Sequence, residues 1–123
     1  MKSYTDIEQS RKLAEILPLE SADMWWLYVT AQGKHIAMMY EEPDPHYLAR
    51  MESYGIKDAA IRCWSLAALL GVIPYPSLHK TFSGWRCDSY NKDGTTCKLG
   101  EPSGNPVDAC FEMIIRLNEL KMW

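Results

Sequence analysis

The segment WRCDSYNKDGTTCKL, residues 85–99, decides the fold class because its pattern is that of a β-hairpin. Two runs suited to strands, residues 85–90 and 95–99, flank Asn91-Lys92-Asp93-Gly94, whose residue types tolerate the left-handed backbone of a tight turn. The preceding run, residues 78–82, is compatible with another strand that leads into this hairpin. The segment therefore predicts antiparallel sheet structure in the last third of the chain.

A helix follows the hairpin, from Pro106 to about Leu120, with Asn105 at its start. Polar side chains take only about a third of its circumference, so more than one of its sides is predicted to be covered. We expect it to lie on the sheet, with the apolar helix of residues 66–73, capped by Ser65, beside it. This second helix has so few polar residues that it is predicted to be mostly buried, and an alternative start for it lies as early as Lys57. This packing defines an α+β fold, in which antiparallel hairpins pack against helices in a single compact layer arrangement.

Length and composition predict one ordinary globular domain over residues 1–123. The chain is 47% hydrophobic and 24% charged, far from the composition of disordered chains. Its formal net charge of −3 and its scattered basic residues make a nucleic-acid partner unlikely on electrostatic grounds. No apolar run reaches membrane-spanning length, and the first residues lack the apolar stretch of a signal peptide. We therefore expect a soluble, cytoplasmic protein without a membrane partner.

Two further helices are predicted from their end signals. The first covers about residues 6–17, with Thr5 as its N-cap and Glu8 three residues on, which is the capping-box arrangement. The second covers residues 46–54, with Pro45 at its first turn and Gly55 closing it.

The aromatic segment from Met24 to Tyr40 is predicted to form a hairpin. Two apolar runs, residues 24–29 and 35–40, flank a break at Gln32-Gly33-Lys34. The alternative is a helix begun by Ser21 or Asp23, because apolar residues of the first run also recur at helical spacing. The hairpin is favoured because aromatic and β-branched residues are enriched in strands.

The four cysteines, at positions 63, 87, 97 and 110, include no Cys-x-x-Cys pair and so match neither a zinc nor a redox motif. Only Cys87 and Cys97 are placed to meet, across the hairpin. A five-residue loop, residues 90–94, would set them opposite one another, whereas a four-residue loop, residues 91–94, sets Cys87 opposite Lys98 and on the other face from Cys97. We expect free thiols.

Catalytic and metal-binding sites find little support in the residue pattern. A nucleophile pair would draw on Cys87 or Cys97 with His79, but nothing local fixes their geometry. No two histidines stand at the i, i+4 spacing of ligands on one helix face, and phosphate-binding and dinucleotide motifs do not occur in the sequence. We expect no cofactor and no metal. The metal-ligand types considered are His35, His46, His79, Glu41, Glu42 and Asp44.

Tryptophan is the residue type that most favours a binding surface. Trp25 and Trp26 cannot both face one core if their segment is a strand, because neighbouring side chains point to opposite faces. One of them, together with Tyr28 or Tyr40, would then form an exposed apolar patch that marks a partner or oligomer surface. The alternative is that the region of residues 45–55 covers this face.

Four stretches of the chain resemble a family of small uncharacterised proteins of gut Bacteroides and their relatives, often encoded among prophage or other mobile-element genes. The resemblance implies a cytoplasmic bacterial setting and a phage or mobile-element role, but no catalytic residue, ligand or partner. The stretches that carry it are IEQSRKLAEIL (residues 7–17), SADM (21–24), CWSLAALL (63–70) and NPVDACFEMII (105–115).

Three functional hypotheses follow. The first is a non-enzymatic binding or assembly domain that acts through the aromatic hairpin on a protein partner or on a second copy of itself. The second is a small enzyme with a cleft near Cys87, His79 and Asp88. The third is a weak nucleic-acid-handling protein, for which the second hairpin offers the one local basic group: Lys80, Arg86, Lys92 and Lys98.

Overall fold

The computed structural model of the protein describes residues 1–38 and 42–121. Within these residues the chain forms four α-helices and two antiparallel three-stranded sheets, which confirms the α+β class. The chain divides into two compact units. The N-terminal unit is Asp6–Trp64, and the C-terminal unit joins residues 1–5 to the chain from Ser65 onward. The single domain over residues 1–123 stays a prediction.

The N-terminal unit contains one sheet with the strand order β2-β1-β3, and α1 contacts β3. Every pair of neighbouring strands in it is antiparallel. No helix among the described residues of the chain has the length and apolarity to cross a bilayer. The elements of this unit are α1 (Ile7–Ile16), a short 3-10 turn (Leu19–Ser21), β1 (Met24–Val29), β2 (Lys34–Met38), α2 (Pro45–Ser53) and β3 (Ala60–Cys63).

The capping box of α1 lies one residue later than predicted. Asp6, not Thr5, is the N-cap: its carboxylate accepts from the Gln9 backbone N–H at 2.8 Å, and the Gln9 amide oxygen accepts from the Asp6 N–H at 3.2 Å. Thr5 is instead fully buried. Both pairs of residues have the capping-box spacing, so the sequence pattern alone did not separate them.

The aromatic hairpin is confirmed over the described residues, and the helical alternative is wrong. β1 pairs with β2 from Trp25↔Met38 to Val29↔Lys34, and Gly33 takes the positive φ of +63° that the turn requires. The third strand, β3, was not predicted, and its position shows that the alternative start of the apolar helix at Lys57 is wrong. It pairs with the other edge of β1, with Trp25 opposite Arg62.

The predicted helix of residues 46–54 is present as α2. The Asp44 carboxylate caps it by accepting from the His46 N–H at 2.9 Å, Pro45 occupies its first turn, and Gly55 follows at φ +75°. The Tyr47 hydroxyl donates to the backbone oxygen of Tyr28 at 2.6 Å, which ties α2 to β1.

The C-terminal unit has a sheet with the strand order β4-β5-β6, against which α4 packs, and α3 contacts α4. This confirms the predicted placement of the last helix on the sheet with the shorter helix beside it. The elements are α3 (Leu66–Val72), β4 (Pro76–Thr81), β5 (Gly84–Tyr90), β6 (Cys97–Lys98) and α4 (Pro106–Glu119).

α4 is buried on more than one side, as its sequence predicts. The Asn105 side chain caps α4 by accepting from the Asp108 N–H at 2.9 Å. α3, capped by Ser65, is less covered than expected, because Leu69 is its one buried residue. The buried residues of α4 are Pro106, Val107, Ala109, Cys110, Phe111, Met113, Ile114 and Leu117.

The hairpin loop between β5 and β6 is longer than either predicted loop. The pairs Ser89↔Lys98 and Tyr90↔Cys97 leave residues 91–96 as the connection, with Gly94 at φ +73°. Because Cys97 is opposite Tyr90, Cys87 lies three residues along β5 and on the other face. All four cysteines are free thiols.

Candidate binding cleft

Trp25 and Trp26 lie on opposite faces of the first sheet, as strand alternation requires. Trp26 shares its face with Ile61, its partner on β3, which is buried. Trp25 is opposite Arg62 and shares the other face. Both indole rings are half-buried. The two tryptophans therefore cannot contribute to one surface, and only one of them borders the cleft described next.

The Trp25 face of the sheet borders an open cleft, here called the Trp25 cleft, with a volume of about 560 Å³. This volume lies within the range of about 300 to 1,000 Å³ that is usual for ligand pockets. Its charged lining among the described residues is Glu42, Glu52, Lys57 and Asp58. Its apolar lining is Trp25, Pro43, Leu48, Ile56, Ala59 and Ala60.

Trp25 is held in place by a stacked cation. The Arg62 guanidinium lies 4.2 Å from the centroid of the Trp25 ring, and Arg62 Nη2 is 3.8 Å from the Glu42 Oε1. A cation–π contact of this kind contributes about 1 kcal/mol at a partly exposed site. The stack fixes the indole orientation, so that the ring forms a stable wall of the cleft.

Three carboxylates and one ammonium line the cleft, and two of the carboxylates are paired with arginines beside it, which leaves Glu52 as the carboxylate without such a cation. Asp58 and Glu42 are partly neutralised by cations, since Asp58 Oδ2 is 3.6 Å from Arg11 Nη2. Glu52 is exposed, and it forms no ion pair with any described residue. It follows Leu48 by one helical turn on α2, so an apolar and an acidic side chain stand together at the mouth.

The other predicted surface residues do not join Trp25. Tyr28 lies two residues after Trp26 and therefore on its face, where its ring meets that of His35 edge-on, with centroids 5.4 Å apart. The His35 Nε2 is 2.8 Å from the Asp58 backbone oxygen. Tyr40 lies outside the described residues. Of the described members of the predicted set, Trp25 alone lines the cleft.

The predicted Cys87 and His79 pairing is not brought together. Cys87 is opposite Leu78 and His79 is opposite Arg86, so the thiol and the imidazole point to opposite faces of the sheet. Cys87 is fully buried, and so is Cys110, its thiol partner on α4. The hydrogen bond that the Cys110 thiol donates to the Cys87 sulfur, together with burial, raises the pKa of Cys110. These two thiols form part of the packed interior and have no access to a substrate.

Asp88 is 1% exposed and has structural partners on all sides. It accepts from the Gly100 backbone N–H at 2.9 Å, and the Arg86 guanidinium approaches its two oxygens at 3.2 and 3.3 Å. His79 Nε2 is 3.8 Å from Asp88 Oδ2. Gly100 has to be glycine, because a Cβ there would lie 2.1 Å from the Cys87 carbonyl oxygen. The cluster joins the three strands of this unit.

The predicted metal-ligand types do not come together as a metal site among the described residues. Within residues 1–38 and 42–121, no three His, Cys, Asp or Glu side chains are grouped to hold a metal ion. Glu41 lies outside this part of the chain. Of the four basic residues of the second hairpin, Arg86 is engaged by Asp88.

Comparisons with protein-family models, curated proteins and solved structures found no match to this chain. The resemblance to the Bacteroides-type family therefore stays a prediction. The cleft residues that the sequence analysis missed are chiefly Leu48, Glu52 and Ile56. The spacing of Leu48 and Glu52 by one turn of a predicted helix was the one available signal, and it did not reveal which sheet face they border.

Proposed function

We propose that the protein is a non-enzymatic binding or assembly domain and that the Trp25 cleft is its ligand site. The observation that supports this proposal is an open apolar cavity of about 560 Å³, walled by a stacked tryptophan and rimmed by carboxylates. Trp and Arg are the residue types most enriched where protein interfaces concentrate their binding energy. A phage or mobile-element role for such a domain rests on the sequence resemblance alone.

The chemistry of the cleft favours a protein segment with an apolar anchor beside a cation. The apolar walls gain free energy by burying an aliphatic or aromatic side chain, at about 25 cal/mol per Å². The carboxylates at the rim attract an ammonium or guanidinium group and repel an acidic neighbour. Glu52 is the best placed of them for this role, because it is exposed and lies next to Leu48 at the mouth of the cleft.

The test is an NMR titration of the ¹⁵N-labelled protein with the blocked peptide acetyl-Lys-Phe-Lys-amide. So small a ligand should bind in the millimolar range, because a few contacts have to offset the entropy of association. We expect its signal changes to concentrate on the Trp25 indole N–H and on backbone amides of residues 42–60. The charge-reversed peptide acetyl-Glu-Phe-Glu-amide should produce at most a tenth of the effect at equal concentration, by about 1.4 kcal/mol of discrimination.

Leu48→Arg is the variant designed to block peptide binding. Leu48 is 39% exposed, and an arginine in its place puts a long cationic side chain in the mouth of the cleft. Ala49→Arg is its control, since Ala49 is the exposed neighbour on α2 and does not line the cleft. Leu48→Arg should abolish the NMR signal changes caused by the Lys-Phe-Lys peptide, and Ala49→Arg should retain them. NMR signal changes that are scattered over the protein and equal for both peptides would contradict the proposal, and so would changes that Leu48→Arg does not affect.

A further inference from the structure

The β4–β5 hairpin ends in a projecting aromatic side chain. Thr81 pairs with Gly84, which leaves Phe82 and Ser83 as the two-residue turn, here called the hairpin tip. The Phe82 side chain is fully exposed, more so than any other large hydrophobic side chain among the described residues. Single exposed apolar residues are common on proteins, so this exposure needs a second argument before it carries function.

The tip is rigid, which distinguishes it from a mobile loop. The Thr81 hydroxyl donates to the Gly84 carbonyl oxygen at 2.9 Å and accepts from the Ser83 N–H at 3.2 Å. Trp85 and Ser103 exchange two backbone hydrogen bonds of 2.8 Å directly behind the turn. Gly84 is at φ +128°, and a Cβ there would lie 2.4 Å from the Ser103 oxygen. Phe82 is therefore presented at little entropic cost to a partner.

The hairpin tip carries the residue types that the apolar wall and Glu52 of the Trp25 cleft would bind. Lys80, two residues before Phe82, is exposed and adds an ammonium group to the same hairpin. This is the combination of aromatic anchor and cation that the acidic rim and apolar wall of the cleft select.

We infer that the segment bound in the Trp25 cleft is the hairpin tip of a second copy of this chain, with Phe82 as the anchor and Lys80 at the acidic rim. The inference rests on the proposed function of the cleft and names its occupant. Two different surfaces meet in such a contact, so the assembly is head-to-tail and forms either a closed ring or an extended chain.

The first measurement is sedimentation equilibrium of the full chain over a range of protein concentrations. The wild type should self-associate, and added NaCl should weaken the association because a charged rim takes part. Phe82→Ser should lower the association constant by about 30-fold, the effect of losing an interface anchor worth about 2 kcal/mol. Leu99→Ser, which removes another exposed apolar side chain of the same unit, should leave it unchanged.

Mixing two defective variants tests the head-to-tail geometry itself. Phe82→Ser keeps an intact cleft, and Leu48→Arg keeps an intact tip, so each should be monomeric alone. Their mixture should form a dimer that grows no further, because one tip enters one cleft and the remaining tip and cleft are both defective. The double variant Phe82→Ser with Leu48→Arg should form no dimer with itself.

The outcomes separate this inference from the proposed function. A mixture that stays monomeric while the wild type associates, or a wild type that is monomeric at all concentrations, overturns the self-association. If the Lys-Phe-Lys peptide still binds the cleft in that case, the binding function stands with another partner. If the peptide fails as well, the cleft is not a binding site for this chemistry. Native folding of each variant is checked by its ¹H–¹⁵N spectrum.

Discussion

In each unit a helix lies beside an antiparallel three-stranded sheet, but only the helix of the C-terminal unit buries most of its residues. In the C-terminal unit, α4 packs on β5 and eight of its fourteen residues are buried. In the N-terminal unit, α2 has nine residues, of which Met51 is the buried one, and the Trp25 cleft remains open beside it. The same kind of layer therefore gives a closed core in one unit and an open cleft in the other.

The difference follows from the width of the apolar arc on each helix. α4 is apolar around most of its circumference, so burying it removes a large area from water. α2 has exposed polar or charged residues on most sides and is attached to β1 mainly through the Tyr47 hydroxyl. A helix that covers little of its sheet leaves apolar surface available, and that surface includes Trp25.

The largest contrast we expect is in thiol reactivity toward a disulfide reagent. Cys97 is exposed and should react at the rate of a model thiol, whereas Cys63, Cys87 and Cys110 are fully buried. Reaction of the buried three requires opening of the structure, which should slow them by at least about 1,000-fold. Cys97→Ser should remove the fast phase of the reaction. Fast reaction of Cys87 or Cys110 would contradict the closed interior of the C-terminal unit, and fast reaction of Cys87 would also support the enzymatic hypothesis.

A matched pair of leucine substitutions compares the two helices directly. Leu117→Ala on α4 removes a side chain that is 1% exposed, and we expect a loss of about 3 kcal/mol in the free energy of unfolding. Leu48→Ala on α2 removes one that is 39% exposed, with an expected loss below about 0.5 kcal/mol. Urea denaturation measures both. Equal losses would mean that α2 is sealed in solution.

The Tyr47 hydroxyl is the next test, because it is the clearest attachment of α2 to the sheet. Tyr47→Phe keeps the ring and removes the 2.6 Å hydrogen bond to the Tyr28 backbone oxygen. We expect a loss of about 1 kcal/mol in the free energy of unfolding, with faster amide hydrogen exchange in α2. Unchanged exchange in α2 would show that other contacts hold the helix in place.

The smallest expected effect is the pH dependence of the stability difference between the wild type and Tyr47→Phe. Burial raises the pKa of Tyr47 above its ordinary value of 10.0. The neutral phenol is thus favoured in the folded state, and its stabilisation is complete below pH 10 and is lost as the pH rises through the raised pKa. The stability difference between the wild type and Tyr47→Phe should therefore shrink above pH 10. A difference that widened there would reverse the sign of this shift.

Local signals in the sequence predicted most of the elements. The Asn105-Pro106 start, the Ser65 cap and the Pro45 and Gly55 boundaries all mark real helix ends, because capping and backbone preferences act within a few residues. The one-residue error at Asp6 has the same origin, since two overlapping patterns satisfy one rule. Interactions within a few residues determine where a helix begins, but they do not decide between two overlapping capping patterns.

Long-range pairing could not be predicted in the same way. β3 has only four residues, one of them Arg62, and it becomes a strand because β1 offers it an edge. The six-residue loop after β5 likewise depends on where Gly100 is held by Asp88. The Trp25 cleft combines residues from β1, α2 and the segment before β3, so its existence follows from tertiary placement.

The measurement that tests the central claim most directly is the NMR signal of the Trp25 indole N–H as the concentration of the wild-type protein is raised. If the open unit binds the hairpin tip of a second copy, this signal moves with concentration in the wild type and stays fixed in Phe82→Ser. A signal that is constant in the wild type, or that moves equally in Phe82→Ser, would contradict the claim.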